Sequence, residues 1–344
     1  MVVYPDTKVF VACPGNNHTG GVELLHQLCS QIIELDVDAC MVYYPANMEF
    51  NREDPVDDFY KKYHLPYTVT TVEDEPHNIL VVSEIVTQFL YLPRQMQKVL
   101  WWLSVDNYLN RIAIDFSMQI KQDLTVQPLR KFFSFGHAEH DIEHWVQSEY
   151  ARRFVTLNLG SGERVRMVGD YLNQEFLQQL SETERAAKQD LVAYNPSKGF
   201  DFTRKLMSEA EGIKWVAIEN MTPAEVRECL SWAKVYVDFG NHPGKDRIPR
   251  EAAMSGCVVI TGRQGAAANA VDISIDDEFK FDESTTPLAD IVAKIKAVFE
   301  DYAREYGKQA SYRQSICRER DRFASEVAEA LGNQGGLRRK DVPD

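Results

Sequence analysis

The sequence predicts an α/β protein built from two Rossmann-like domains, and three observations support this. Short β-branched strands alternate with amphipathic helices from Lys8 onward, and the alternation restarts at Leu191. Polar loops that contain glycine follow the strands, as at residues 14–21 and 240–246. With 344 residues, the chain is long enough for two α/β cores. Regular alternation of strand and helix implies parallel sheets with right-handed crossovers.

The first half begins with a strand at Lys8–Cys13 and a helix whose apolar residues recur at helical spacing after residue 21. The other predicted elements are, in chain order, strands at Cys40–Tyr44, Ile79–Val82, Val99–Ser104 and Phe132–Phe135, a helix at Glu149–Leu157 and a crossing segment from Val165. We therefore expect an N-terminal Rossmann-like domain over residues 1–165.

The second half repeats this pattern. Thr222, Pro223 and Glu225 match the N-cap, first and third positions of a helix with a capping box. The other predicted elements are helices at Glu182–Lys188 and Phe202–Ala210 and strands at Leu191–Tyr194, Trp215–Ile218, Val235–Phe239 and Val258–Thr261. We expect a second Rossmann-like domain over residues 166–300, with 166–190 as linker. Residues 301–344 should form helices that pack back toward the first domain, followed by a frayed tail.

Composition excludes several functional classes. The formal net charge is −14, which disfavours a nucleic-acid partner. No apolar run approaches the roughly 20 residues needed to cross a bilayer, and the first residues do not resemble a signal peptide. The six cysteines are scattered without a CxxC pair, as is typical of reduced thiols. These features favour a cytoplasmic protein.

The loop Gly240–Asp246 and the helix after it form the most informative segment. A strand, a flexible loop and a helix N-terminus together bind phosphate, because free backbone N–H groups and the helix dipole point at the anion. Lys245 and Arg247 add positive charge beside this helix. Glu251, one turn further on, suits hydrogen bonds from ribose or sugar hydroxyls. The segment therefore predicts a sugar-nucleotide site.

Two further segments offer contacts to a phosphate. Lys198 precedes Gly199 at the end of a predicted strand, where ligands bind in open α/β sheets. Arg204 lies one turn into the next predicted helix. In the first half, Gly20 and Gly21 would let a ligand approach the backbone at a helix N-terminus. Each of these residues is also compatible with an ordinary solvated loop.

Three segments of the second half resemble, in order, the nucleotide-binding domain of GT-B glycosyltransferases, especially the retaining family-4 group. They are Asn195-Pro-Ser-Lys-Gly-Phe200, Leu230–Asp238 and Glu251-Ala-Ala-Met-Ser-Gly-Cys-Val-Val259. Gly20-Gly-Val-Glu23 is similar to the Gly-Gly-x-Glu that opens the first helix of that family. The resemblance covers most of the chain and implies a GT-B architecture, with two Rossmann-like domains facing across a cleft.

The sequence departs from the family at one carboxylate. Pro243 occupies the position of the first glutamate in the Glu-x7-Glu pattern, and Lys245-Asp246 replaces its Phe-Gly. That first carboxylate normally contacts the donor sugar. Asp246 and Asp238 are the alternatives for its role.

The candidates for catalysis in the first half are Asp106 and His137. Asp106 follows an apolar strand, so we expect it to contact the acceptor or the donor sugar. His137, His18 or Asp106 would serve as general base if the reaction inverts the anomeric centre. A metal is not expected, since His137, His140 and His144 lack a convincing fourth ligand. Asp36 and Asp38 match the DxD motif of metal-using glycosyltransferases of another fold. Here they lie between a predicted helix and a predicted strand, so we interpret the match as chance.

The resemblance implies a hexosyltransferase that needs no metal or other cofactor and uses a nucleoside-diphosphate sugar as co-substrate. Lys198, with Lys245 or Arg247, would stabilise the leaving diphosphate. The implied role is surface-polysaccharide assembly with retention of configuration, on a glycan or lipid-linked acceptor and with peripheral membrane contact. The alternatives are a GT-B-fold epimerase or hydrolase of sugar nucleotides and a non-catalytic nucleotide-sugar-binding protein. A dinucleotide-dependent oxidoreductase is disfavoured, because residues 14–21 lack GxGxxG.

Overall fold

The computed structural model describes residues 1–46, 48–121, 131–136, 141–177 and 180–332. The chain divides into two compact units. Unit 1 comprises residues 1–170 together with the segment from Asp321, and unit 2 comprises Tyr171–Arg320. Residues 301–320, which the sequence analysis groups with the C-terminal segment, therefore belong to unit 2.

Unit 1 contains a seven-stranded sheet whose strands all pair in parallel. The strands are β1 (Lys8–Pro14), β2 (Asp38–Tyr44), β3 (Tyr67–Thr68), β4 (Ile79–Ser83), β5 (Gln97–Trp102), β6 (Ile142–Val146) and β7 (Val165–Met167). Their order is β3-β2-β1-β4-β5-β6-β7. The chain leaves β1 toward β2 on one side and continues at β4 on the other, so β1 and β4 flank a topological switch point.

In the described part of unit 1, the α-helices between these strands are α1 (Gly20–Glu34), α2 (Val105–Lys121) and α3 (Glu149–Leu159). Two 3-10 helices add to them, at Asp58–Tyr63 and Glu84–Tyr91. The central strands are almost continuously buried, as expected for a parallel sheet covered on both faces. One apolar cluster joins Leu80, Leu100 and Trp102 of the sheet to Tyr108 and Val155 of the helices.

Unit 2 contains a four-stranded parallel sheet in the order β11-β10-β8-β9. The elements up to that sheet's last strand are α4 (Glu182–Ala186), β8 (Gln189–Tyr194), α5 (Phe200–Glu209), β9 (Lys214–Ala217), α6 (Pro223–Trp232), β10 (Ala233–Asp238), α7 (Arg247–Met254) and β11 (Val258–Thr261). The later helices are α8 (Leu288–Glu300), α9 (Tyr302–Lys308), α10 (Ala310–Cys317) and α11 (Glu319–Ala330). α11 continues into the segment assigned to unit 1.

The predicted start of α6 is confirmed in detail. Glu225 N–H donates to Thr222 Oγ1 at 3.3 Å, and the Glu225 carboxylate accepts from Thr222 N–H at 2.7 Å. Pro223 fills the first helical position, where no N–H is needed. The local sequence therefore specifies this helix start without tertiary help.

In the first half, one predicted strand is wrong and one helix was not predicted. Residues 132–135 form no strand, and the strand β6 lies further along the chain. Two residues separate the end of β5 from the start of α2, in a region where the sequence analysis predicts only the end of a strand. Its periodicity is obscured because Leu109, Ile114 and Met118 on this helix are exposed apolar residues.

No helix among the described residues is long and apolar enough to span a membrane.

Candidate functional site

The topological switch point of unit 2 lies between β8 and β10, which are neighbours in the sheet. From β8 the chain crosses to β9 on one side, and β10 then pairs with the other edge of β8. Loops 195–199 and 239–246 follow the carboxyl ends of these two strands. Ligands of open α/β sheets bind at this position, because the loops diverge there and leave a crevice.

The two loops touch through glycine backbones. A Cβ atom on Gly199 would lie 2.2 Å from the carbonyl oxygen of Phe239, and one on Gly240 would lie 2.6 Å from the nitrogen of Gly199. Gly240 also has a φ of +91°, which disfavours any other residue. Both glycines are therefore required for the loops to cross so closely.

Lys198 is held by three side chains of the second loop and its strand. Its ammonium contacts Asp246 Oδ2 directly, lies 3.3 Å from Asp238 Oδ2 and lies 3.1 Å from His242 Nδ1. The Asp246 carboxylate also lies 2.9 Å from His242 Nδ1. We call Lys198, Asp238, His242 and Asp246 the lysine cluster.

The lysine cluster is set in a largely buried environment. Asp238 is 1% exposed, and His242 is fully buried. Burial raises the pKa of Asp238, opposed by the nearby Lys198 and His242. Burial also acts to raise the pKa of Asp246, but its hydrogen bond with His242 and the charge of Lys198 lower it below the usual value. Asp246 is therefore the firmly ionised partner of Lys198.

His242 is fixed by the segment after β11. A short parallel bridge pairs it with Gly265, and its carbonyl accepts from Ala266 N–H at 2.9 Å. A Cβ atom on Gly265 would lie 2.1 Å from that carbonyl oxygen. The sequence analysis does not single out His242, although its position in a glycine-bearing loop at a strand end is the signal that points to it.

Asp238, His242 and Asp246 each offer a metal-ligand atom, and these atoms all lie within 4.8 Å of one another. Carboxylate and imidazole ligands suit a divalent cation. The Lys198 ammonium, however, contacts all three groups and supplies the positive charge that a metal would supply. These three side chains therefore suit the Lys198 ammonium, a cation that the chain itself provides.

The other predicted donor-site residues of unit 2 are mostly engaged in ion pairs. Lys245 lies 2.5 Å from Glu319, and Arg247 lies 3.3 Å from Glu251. Arg204 forms an exposed pair with Asp201 at 3.0 Å. Glu251 is a buried residue of α7. Lys198 and Lys245 both lie in the loops at the switch point, where Lys245 is paired with Glu319.

An open cavity of about 660 Å³ begins at Gly199, the residue after Lys198. Gly199 and Phe200 line it at the start of α5, together with Lys205, Arg263 and Glu283. Glu283 also accepts a hydrogen bond from Gly240 N–H at 2.7 Å, which ties the cavity wall to the glycine crossing. The cavity gives a ligand room at the start of α5, and its wall begins one residue after Lys198, which does not itself line it.

In unit 1, Gly20 and Gly21 open α1, directly after its N-cap residue Thr19. Tyr60 Oη donates to the Thr19 carbonyl at 2.7 Å, so the 3-10 helix at Asp58–Tyr63 holds this loop. A Cβ atom on Gly21 would meet Leu103 at an ordinary 3.7 Å. Gly21 therefore has space on its side-chain face, and steric crowding alone does not require a glycine there.

The structure places Asp106 in the first turn of α2, at the carboxyl end of β5. The buried carboxylate in that region is instead Glu84, which directly follows β4 and accepts from Leu103 N–H at 2.9 Å. Burial raises the pKa of Glu84 to about 7. The sequence analysis does not consider Glu84, because its position in an apolar segment offers no motif.

His137 and His140 lie outside the described residues. His144 is a buried residue of β6 whose Nδ1 accepts from Trp102 Nε1–H at 3.0 Å. Burial lowers its pKa to about 4. His144 is therefore a neutral core residue.

Comparison with solved structures identifies the fold. The chain is similar to *Anabaena* Alr3699/HepE in complex with UDP-glucose, with a TM-score of 0.63 and 13% identity over 95% of this chain and 99% of that chain. It is also similar to the sucrose-phosphate synthase tll1590 of *Thermosynechococcus elongatus*, with a TM-score of 0.53 and 12% identity over 95% and 96% of the chains. For T4 phage BGT in complex with UDP-glucose, the TM-score is 0.51, with 9% identity over 94% and 98% of the chains.

Neither a protein-family model nor a curated protein sequence matches the chain. The similar structures are GT-B glycosyltransferases. At such low identity, their likeness establishes the fold but does not transfer an activity. The chain has the α/β GT-B fold, as the sequence predicts.

Proposed function

We propose that this protein is a glycosyltransferase that moves a hexose from a nucleoside-diphosphate donor to a glycan or lipid-linked acceptor. The observation that carries the proposal is the position of Lys198 at the switch point of unit 2, beside two crossing glycine loops and an open cavity. The GT-B fold agrees with this, since HepE and BGT have been solved with UDP-glucose.

The chemistry requires positive charge where the diphosphate leaves. Negative charge grows on the leaving phosphate in the transition state, and preorganised cations and N–H groups stabilise it. Lys198 and the start of α5 supply such groups next to the cavity. Lys245 and Arg247 would join them after exchanging their present carboxylate partners.

On this proposal the reaction retains the configuration of the sugar, and the leaving phosphate accepts the acceptor proton. Asp106 would then contact the acceptor or the donor sugar. An inverting reaction would instead need a base, for which His137 is the sequence candidate. The anomeric configuration of the product, read by NMR, distinguishes the two outcomes.

We further propose that transfer is independent of metal, because the Lys198 ammonium contacts each potential ligand of the Asp238–His242–Asp246 set. Activity should survive EDTA at a concentration that removes Mg²⁺ and Mn²⁺. A loss that either ion restores would show that a divalent cation displaces Lys198 from the cluster.

The decisive experiment is a binding and transfer screen against a panel of nucleotide sugars. Lys198→Ala should weaken donor binding by about 1.5–3 kcal/mol, because a hydrogen bond to a charged group is lost. Lys214→Ala is the matched control, since Lys214 is an exposed lysine at the start of β9. Binding should be measured well below the melting temperature of each variant. Unchanged affinity in Lys198→Ala would refute the assignment of this site.

The proposed biological role is surface-polysaccharide assembly by a cytoplasmic enzyme. It rests on the resemblance of Asn195–Phe200 and Glu251–Val259 to the family-4 group. Transfer to polysaccharide precursors, compared with transfer to small sugars, tests this role.

A further inference from the structure

A buried amine and a buried thiol meet at the C-terminal end of α6. Lys188 Nζ donates to the carbonyl oxygens of Leu230 at 2.8 Å and Ala233 at 2.7 Å. Cys257 Sγ contacts the same two oxygens, each at 3.2 Å. Because both groups share both acceptors, they occupy one pocket at the end of this helix.

Gly256 brings the two groups together. Its φ is +81°, and a Cβ atom there would lie 2.6 Å from Lys188 Cε and 3.4 Å from Lys188 Nζ. The lysine side chain therefore lies against the backbone immediately before Cys257. Any other residue at position 256 would force Lys188 out of this pocket.

The surroundings leave Lys188 without an acidic partner. Lys188 is 6% exposed and Cys257 is fully buried, and Lys188 forms no ion pair within the described ranges. Burial lowers the pKa of Lys188, with the thiols of Cys257 and Cys229 as its titratable neighbours. A buried lysine with a lowered pKa has a larger fraction of neutral, nucleophilic amine.

An open cavity lies beside neighbours of the pair, although Lys188 and Cys257 do not line it. Gln189, which follows Lys188 in the chain, and Cys229 line an open cavity of about 410 Å³. Trp232 and Leu191 form another part of its wall. A molecule the size of hydrogen peroxide fits such a cavity, whose wall includes Gln189, the chain neighbour of Lys188.

We propose that Lys188 and Cys257 form a covalent N–O–S bridge when the protein meets hydrogen peroxide. The first peroxide oxidises the thiol to a sulfenic acid and leaves as one water. The lysine nitrogen then bonds to the sulfenic oxygen while a second peroxide takes up two electrons. The two protons released, one from the amine and one from the sulfenic acid, leave with that peroxide as two waters.

Intact-mass measurement of the full chain tests the bridge directly. Peroxide should add one oxygen and remove two hydrogens, and digestion should yield a peptide pair joined through residues 188 and 257. Dithiothreitol should reverse the change. Lys188→Arg and Cys257→Ser should each abolish it, whereas Cys229→Ser, the matched neighbouring thiol, should retain it.

Other mass changes overturn the proposal. Loss of two hydrogens alone indicates a Cys229–Cys257 disulfide or a direct sulfur–nitrogen bond. Gain of oxygen without loss of hydrogen indicates simple thiol oxidation, and a bridge from Lys188 to Cys229 places the chemistry on the wrong thiol. Peptides containing residues 188 and 257 that stay unchanged at a peroxide dose that oxidises the exposed Cys317 also refute it. The wild-type measurement decides the matter even if a variant fails to fold.

Discussion

At the scale of single residues, the acidic side chains around Lys198 determine its environment. Asp246 contacts its ammonium directly, and Asp238 lies 3.3 Å away with Tyr236 Oη donating to the same carboxylate oxygen at 2.9 Å. Removing the lysine would leave two carboxylates near each other in a buried site. A buried ion pair contributes little net stability, but breaking one partner is costly.

We therefore predict that Lys198→Met lowers the free energy of unfolding by about 3 kcal/mol, since buried charge is left uncompensated. Adding Asp246→Asn should recover part of that loss, because one of the two carboxylates is neutralised. Urea denaturation of both single variants and the double variant measures the coupling.

Arg204→Met serves as the control for that series. Arg204 pairs with Asp201 on the exposed face of α5, so its removal should cost less than about 1 kcal/mol. Equal losses from Arg204→Met and Lys198→Met would contradict the account of the lysine cluster.

Glu84 is the second residue whose environment predicts a measurable effect. Burial raises its pKa from 4.5 to about 7, although the N–H groups of Leu103 and Ser104 oppose the shift. The unfolded chain releases this proton from about pH 4.5 upward, whereas the folded chain keeps it until about pH 7. This contribution to stability is therefore present below pH 4.5 and is lost as the pH rises to 7.

Between pH 5 and pH 8, wild-type protein should thus lose on the order of 3 kcal/mol relative to Glu84→Gln, whose side chain does not titrate. Denaturation of both proteins across this range tests the prediction, because all other titrating groups are shared. Parallel pH profiles for the two proteins would show that Glu84 is ionised throughout.

At the scale of elements, the crossing of the two loops after β8 and β10 depends on glycine. Gly240 combines a φ of +91° with a Cβ direction that points into Gly199. Gly212 has a similar φ of +80° but no atom within 4 Å of its Cβ position. Comparing substitutions at these two positions therefore separates the energetic cost of backbone strain from that of a steric collision.

Gly212→Ala should cost about 1 kcal/mol, which is the conformational penalty alone. Gly240→Ala should cost about 4 kcal/mol and should also disturb the lysine cluster, because the loops must separate. Thermal denaturation gives the stability difference, and the chemical shifts of His242 report on the cluster. Similar penalties at the two positions would mean that the loops separate without cost.

At the scale of the whole molecule, several basic residues in the described part of unit 1 are paired with acidic neighbours. Lys61 pairs with Asp54 and Asp58, while Arg152 and Arg153 both pair with Glu149. Further pairs of this kind are Lys98 with Asp141 and Arg111 with Asp115. These pairs neutralise much of the charge on which the expected membrane contact depends.

We therefore predict weak binding to anionic vesicles at low salt and none at physiological ionic strength. Co-sedimentation with phosphatidylserine liposomes at two salt concentrations measures this, with neutral liposomes as the control. Strong binding that persists at physiological salt would support a lipid-linked acceptor presented at a membrane surface.

Local patterns determined much of the architecture. The capping box at Thr222 and Glu225 and the buried β-branched strands such as Val258–Thr261 depend on neighbours in the sequence, so they were predictable. The position of Lys198 before a glycine at a strand end was also predictable from local sequence, whereas its role as a site residue stays a prediction.

The tertiary structure decided the strand pairing, the burial and the charge partners that the sequence could not specify. The chain does not state that β10 pairs with β8 rather than with β9, and that pairing creates the switch point where Lys198, Asp238 and His242 meet. It likewise decided that Glu251 is buried and that Lys245 pairs with Glu319, which lies 74 positions away in the chain. Strand periodicity and helix caps are short-range and can be read from sequence, whereas burial and charge partners arise when distant segments pack together.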